Sequence, residues 1–176
     1  AEEVLHLREE GRQLRAALDA AELLADRDSL CPVFNRRAFL RELGREMALA
    51  RRHGTPLCLI YLDLDRFKLV NDRLGHSRGD EVLQRVSAVI QSNVRETDII
   101  GRLGGDEFAV LLETRAGAGM LIERAHRFLA VIREPFEIDG HSYRISGSIG
   151  IAKRSDGCGE AEELMRRADL ALFAAK

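Results

Sequence analysis

The chain has no G-x-x-x-x-G-K-[ST] segment and no G-x-G-x-x-G segment, which excludes a P-loop and a Rossmann turn as the holder of any nucleotide. It lacks an apolar run long enough to cross a bilayer, the longest being about Leu57–Leu62. No signal peptide is expected from its opening residues, and the chain reads as a piece of a longer protein. Cysteine is scarce. Cys31, Cys58 and Cys158 are odd in number, far apart and without metal-ligand spacing, so reduced thiols in a cytoplasmic domain are expected. An excess of positive charge is also missing. The net charge of −2 gives no electrostatic case for a nucleic-acid polymer or an anionic membrane as partner. What remains is 176 residues, 45% of them hydrophobic, enough for one domain with a core and an appendage.

The appendage is residues 1–27. Val4, Leu7, Gly11, Leu14, Leu18, Ala21 and Ala25 recur at steps of three and four, a heptad seam that predicts a coiled-coil helix. An amphipathic helix lying on its own domain is the alternative, because Gly11 and the alanines weaken the seam. Asp28–Phe34, with Pro32, reads as a linker. Asn35 is placed to N-cap a helix with Phe39, Leu40, Leu43, Met47 and Ala50 on one face. Gly54-Thr55-Pro56 breaks the chain before Leu57–Leu62, an apolar run expected to be a central strand. Short and long helices are expected over 66–74 and 77–94. Strands at 99–100 and 108–112 flank a Gly-Gly hairpin turn, in which glycine would supply positive φ. A helix over 118–132 carries Leu121, Ile122, Ala125, Phe128, Leu129 and Ile132. A second hairpin spans 136–152, its long strand alternating through Tyr143, Ile145, Gly147, Ile149 and Ile151, and a last helix starts near Glu160. Hairpins interleaved with helices predict an α+β fold, helices packed on a central antiparallel-rich sheet.

Acids gather at two strand ends. Asp63 and Asp65 close the apolar run, where a carboxylate costs desolvation unless a cation or donor meets it. Asp106 and Glu107 follow the Gly-Gly pair. Downstream of Asp63 come Lys68, Asn71, His76 and Asp80, a set that suits a nucleoside triphosphate: metal ligand, phosphate partner, base-edge readers. Mg²⁺ takes few carboxylates and leaves positions for phosphate oxygens. Each residue also has a plainer use. Ser77 and Asp80 fit a capping box, and Arg95 and Asp98 fit an i,i+3 surface pair.

Gly104-Gly105-Asp106-Glu107-Phe108 resembles the signature of GGDEF domains, the diguanylate cyclases. The likeness continues in Asp63-Leu64-Asp65-Arg66-Phe67-Lys68-Leu69-Val70-Asn71-Asp72, in Gly75-His76 with Gly79-Asp80, in Ile145–Ile151, and in Ala168–Lys176. It covers about residues 28–176. Two departures stand out: Cys31-Pro32-Val33-Phe34 replaces the middle of the family's opening motif, and Phe173 stands where Tyr is usual.

The resemblance implies a sheet of the ferredoxin-like or cyclase-palm type and a GGDEF catalytic domain over 28–176, its C-terminal end truncated. It implies condensation of two GTP into cyclic di-GMP with loss of two pyrophosphates. Asp63, Asp106, Glu107 and the Leu64 carbonyl are implied around Mg²⁺, with Mn²⁺ as the alternative ion. Asp106, Glu107 and Lys68 are implied in catalysis. Phe67 backbone, Lys68 and Lys176 are implied on the phosphates, and Asn71, Asp80 and His76 in the guanine segment. Arg95 and Asp98 match the family's R-x-x-D motif, which implies feedback inhibition by cyclic di-GMP. One domain carries one half-site, so a homodimer through residues 1–27 and the catalytic face is expected. A sensory domain is expected upstream in the full-length protein. The expected location is cytoplasmic, with no membrane contact in this piece and an upstream membrane anchor compatible with it.

Overall fold

The computed structural model describes residues 6, 8–15, 21, 25–138, 140–154 and 160–176. Residues 8–15 (α1) are helical. A two-residue strand β1 (Phe34–Asn35) leads into α2 (Arg36–His53), then β2 (Leu57–Leu64), α3 (Phe67–Leu74) and α4 (His76–Ser92). The hairpin β3 (Ile99–Arg102) and β4 (Glu107–Glu113) follows, then α5 (Ala118–Ile132), β5 (Phe136–Ile138), β6 (His141–Tyr143), β7 (Gly147–Lys153) and α6 (Ala161–Ala175).

Five strands form one sheet in the order β1-β3-β4-β2-β7, while β5 and β6 pair separately. Only β1 is parallel to its neighbour. The path β2–α4–β3–β4–α5–β7, with β2 between β4 and β7, is the βαββαβ ferredoxin-like arrangement. The α+β expectation therefore holds. β2 lies inside the sheet, between β4 and β7, and all eight of its residues are buried. Its side chains alternate between two cores. Cys58, Ile60, Leu62 and Leu64 face the core that includes Val82, Val86 and Ile90 of α4 and Leu121, Phe128 and Ile132 of α5. Leu57, Leu59 and Tyr61 face the core built with Phe39, Leu43 and Met47 of α2 and Leu164, Ala168 and Leu172 of α6. Asp63, next in the second series, must emerge on the α2/α6 face.

Asn35 caps α2, its side chain accepting from the Ala38 N–H, and Gly54 ends the helix in the left-handed region. On the α2 face Leu40 proves exposed, as does Ile122 on α5. The α5 boundaries agree with the sequence pattern. Three expectations need correction. Asp28–Phe34 is ordered rather than a loose linker: Cys31 and Val33 are buried, and Phe34 belongs to β1. The long strand of the second hairpin splits, because residues 144–146 leave β6 and the chain re-enters the main sheet at Gly147. Neither Gly104 nor Gly105 has a positive φ, so the turn does not use them for that freedom.

Gly150 serves another purpose. A Cβ there would lie 2.1 Å from the Ala168 carbonyl oxygen and 2.3 Å from the Leu172 nitrogen, so its absence lets α6 lie on β7. This seating carries the end of α6 to the acids of β2. Of the heptad seam, Gly11, Leu14, Ala21 and Ala25 are exposed, while Val4, Leu7 and Leu18 lie outside the described residues. Just before the domain, Asp26 takes Arg41 at 2.6 Å and the Ala25 carbonyl accepts from Asn35 Nδ2 at 2.7 Å. Among the described residues no helix is long and apolar enough to cross a membrane. Cys31 and Cys58 are buried free thiols, and burial pushes the Cys58 thiol up to about 11; Cys158 lies outside the described residues.

Candidate active site

The acids meet because two strand ends are in register. Asp63 pairs with Glu107 of β4 on one side and Ser148 of β7 on the other. The Leu64 N–H donates to the Asp106 carbonyl at 3.2 Å, which ties the turn to the end of β2. Asp63 is buried and its Oδ1 lies 2.8 Å from Lys176 Nζ at the end of α6. The Asp106 carboxyl is half-buried. Burial first, and the Asp63 charge second, hold its pKa above the ordinary carboxylate value. Hydrogen bonding to Asp63 raises the Lys176 pKa. A carboxyl whose proton affinity is raised by burial and by a neighbouring carboxylate, beside one ammonium, forms a site that favours added positive charge.

Glu107 points elsewhere. Its Oε2 sits 2.6 Å from where a Gly104 Cβ would be, and its carboxylate hydrogen-bonds Tyr61. Burial, then the Glu107 charge and this bond, push Tyr61 up to about 12. Gly104 thus makes room for a carboxylate, whereas nothing lies within 4 Å of a Cβ at Gly105. Asp65 is held by two hydroxyls, Ser146 Oγ at 2.7 Å and Ser148 Oγ at 2.8 Å, so it braces the break between β6 and β7. Among the described residues no group of three or more His, Cys, Asp or Glu side chains is arranged to hold a metal. Asp63 and Asp106 are two hard carboxylates with backbone carbonyls beside them. That donor set fits Mg²⁺, which binds through one or two carboxylates and takes the rest from water and phosphate.

The other candidate residues sit on α3 and α4. Phe67 is buried in the core, and Lys68 beside it is exposed. Asn71 packs into the joint between the helices: a Cβ at Gly79 would fall 1.8 Å from Asn71 Oδ1 and 3.2 Å from Phe67 Cζ. Gly79 thereby places the Asn71 carboxamide against the first turn of α4, where His76 and Asp80 are exposed. The capping-box use of Ser77 and Asp80 fails, since Gly75 is the N-cap and no side chain caps α4. Arg66, between the acids and α3, has φ 56° and is the one described non-glycine residue with positive φ.

Arg95 and Asp98 lie apart from this cluster, in the loop between α4 and β3. Their surface-pair reading also fails. The Asp98 carboxylate accepts from the Arg95 backbone N–H at 2.9 Å and from Arg124 Nη2 at 3.2 Å. Arg124 of α5, 26 residues further on, lines one cleft with Arg95. No local spacing reveals it.

The chain matches the family model described as "Diguanylate cyclase, GGDEF domain" over residues 25–176. It is 39% identical over 153 residues to the diguanylate cyclase TpbB of Pseudomonas aeruginosa, a match that covers 86% of this chain and 35% of TpbB. It is 34% identical over 165 residues to the cyclic di-GMP phosphodiesterase NbdA of the same species, covering 93% of this chain and 21% of NbdA. The chain therefore spans about a third or less of these relatives. Among solved structures, the coiled coil and GGDEF domain of DgcB from Caulobacter crescentus, in complex with c-di-GMP, superposes with a TM-score of 0.87 at 31% identity, covering 97% of this chain and 91% of that one. With this match joined to the βαββαβ sheet and the acids at its central strand ends, the chain belongs to the GGDEF domain family.

Proposed function

We propose that residues 28–176 form a diguanylate cyclase domain that condenses two GTP into cyclic di-GMP and two pyrophosphates, and that residues 1–27 form a helix that pairs two copies. The observation that carries this is the meeting of Asp63 with Asp106, the residue before its register partner Glu107, where the Asp63 charge and burial oppose ionisation of Asp106 and call for a divalent cation. A Mg²⁺ ion held by Asp63, Asp106 and the Leu64 carbonyl, or Mn²⁺ in its place, would supply charge neutralisation on the α-phosphate and on the departing pyrophosphate. Glu107 would have to turn from Tyr61 to join them.

The chain's own residues do the rest. Asn71 and Asp80 read guanine, since an acid accepts from its N1–H and exocyclic amine, with His76 beside them. Lys68, Lys176 and the backbone at Phe67 hold the triphosphate. Asp106 orients the 3′-hydroxyl of the GTP on the opposing copy and accepts its proton. The 3′-oxygen then bonds to the α-phosphorus as the bond to pyrophosphate breaks, once in each direction. Two facing half-sites supply approach and orientation, a large share of the rate. Arg95, Asp98 and Arg124 form a separate site for the product, which inhibits from there. An upstream sensory domain would set how two copies meet, in the cytoplasm.

Incubating the protein with GTP and Mg²⁺ and separating the nucleotides tests the proposal. Cyclic di-GMP and pyrophosphate in a ratio of one to two are expected. Binding of cyclic di-GMP without turnover of GTP would instead make the chain a receptor acting through Arg95 and Asp98.

A further inference from the structure

β7 forms one edge of the main sheet, and a cleft of about 770 Å³ runs beside it between α5 and the end of α6. Its two ends differ. Ile122 of α5 and Ile151 of β7 line an apolar end. The other end reaches the acids and is lined by Asp63, Asp65, Arg66, Ser146, Lys176 and Arg133. The run of α5 settles which end Arg133 occupies. A Cβ at Gly147 would stand 3.6 Å from Leu129 Cδ2, and Gly147 pairs with Leu64 at the end of β2. The last turn of α5 is therefore at the acid end. Arg133, whose N–H bonds the Leu129 carbonyl at 3.0 Å, caps the helix there.

The hydrogen bonding at this end is uneven. The Asp63 carboxylate already holds Lys176, and the Asp65 carboxylate is satisfied by two serine hydroxyls. The guanidinium groups of Arg66 and Arg133 have no hydrogen bond or ion pair to any described residue. Two unengaged planar forks and an ammonium line the same end of one cleft, which reaches Asp63 of the acid pair. That is the donor set for a di-anion with several oxygens, and guanidinium matches phosphate oxygens two at a time.

We propose that Arg66 and Arg133 are further substrate-binding residues, which hold the β- and γ-phosphates of the nucleoside triphosphate and then the pyrophosphate that leaves. The inference rests on the reading of the acid pair as a GTP site. Guanine recognition by Asn71 and Asp80 is independent of both arginines. Their removal weakens every ligand that carries a pyrophosphate group and spares those that do not.

The test is calorimetric titration of the 176-residue chain and of Arg66→Ala, Arg133→Ala, Arg66→Lys and Arg133→Lys with inorganic pyrophosphate, GMP and GTP, all with Mg²⁺. Each alanine variant is expected to raise Kd for pyrophosphate and GTP by about tenfold, the worth of one charge-assisted hydrogen bond, and to leave GMP unchanged. The lysine variants recover part of the loss. Unchanged GMP binding also reports that the fold is intact. The inference is overturned if pyrophosphate binds both alanine variants as it binds the parent, if GMP weakens as much as pyrophosphate, or if the parent binds no pyrophosphate. The functional reading fails separately. A parent that binds pyrophosphate through these arginines but forms no cyclic di-GMP sinks that reading alone, and a parent that forms cyclic di-GMP with the arginines inert sinks the inference alone.

Discussion

Arg102 joins Asp28 to the Gly-Gly turn. Its Nη1 lies 2.9 Å from Asp28 Oδ1, while its Nη2 and Nε donate to the Gly105 carbonyl at 2.8 and 3.2 Å. Asp28 also accepts from the N–H groups of Leu30 and Cys31. One guanidinium therefore joins the segment that opens the domain to the turn that presents Asp106. Burial opposes charge on Asp28, but the Cys31 N–H, Arg102 and the Leu30 N–H hold its carboxyl below the ordinary value.

This clamp predicts coupled losses. Asp28→Ala and Arg102→Ala should each lower stability by about 1–3 kcal/mol, the range for losing one partner of a partly buried charged bond. They should also lower cyclic di-GMP formation, since the Gly105 carbonyl loses its donors or its donors lose their anchor. In the double variant the losses should fall short of the sum, as residues in one network do. Urea midpoints and product rates check both. Strict additivity would show that the two residues act independently. The sign with pH follows from the depressed pKa: the Asp28 contribution is present above the unfolded-state pKa and is lost as pH falls through the folded one.

The glycines of the site should differ sharply. Gly79→Ala puts a Cβ on the Asn71 carboxamide, so affinity for GMP should fall at least about tenfold, with a stability cost of about 1–3 kcal/mol for overpacking. Gly105→Ala meets open space without a positive φ and should change stability by less than about 0.5 kcal/mol. GMP titration and thermal melts of the two variants decide. Equal behaviour would mean that the Asn71 carboxamide does not occupy the α3/α4 joint.

These glycines also show what local pattern reveals and what it misses. Helix α5 and strand β2 were legible because burial imposes its period directly on Leu121, Ala125, Phe128 and Ile132, and on the run from Leu57. The candidate site residues came from the family resemblance, and of them the fold brings Asp63, Asp106 and Lys176 together. The split between β6 and β7 was not legible, because the alternation of Tyr143, Ile145 and Gly147 runs through it unbroken. What makes it is Asp65, some 80 residues earlier, taking the hydroxyls of Ser146 and Ser148. The use of Gly104 as space for Glu107, and the pairing of Arg124 with Asp98, likewise depend on packing between elements distant in sequence.

Asp106 sets an acid limit. Its raised pKa means that it takes a proton at a higher pH than an ordinary aspartate, and once neutral it no longer attracts a cation or accepts the 3′-hydroxyl proton. Mg²⁺ binding, followed by titration calorimetry, should therefore weaken on the acid side from a pH above the ordinary carboxylate range, because the ion must displace that proton. The same shift gives the stability sign. The folded state holds this proton more tightly than the unfolded one, so Asp106 costs stability as pH rises from the unfolded-state pKa through the folded pKa. Asp106→Asn should raise Tm at neutral pH without divalent cation and abolish cyclic di-GMP formation. The gain in Tm should vanish at pH values below the ordinary carboxylate range. A lower Tm at neutral pH would show that the carboxylate is better satisfied than its burial beside Asp63 implies.

Leu14 is 72% exposed in the single chain, and a large apolar side chain at a heptad position has most to gain from a second helix. If residues 1–27 pair two copies, then Leu14→Glu with Leu18→Glu places like charges across that seam and weakens it. The expected result is a lower specific activity that recovers as protein concentration rises, because association then depends on the catalytic face alone. The Tm of the domain should stay within about 2–4 °C of the parent, the shift that 1 kcal/mol makes in a chain of this size. Rates measured across a hundredfold range of protein concentration, beside sedimentation of both forms, give the answer. A specific activity equal to that of the parent at the lowest concentration would show that α1 does not bring the half-sites together.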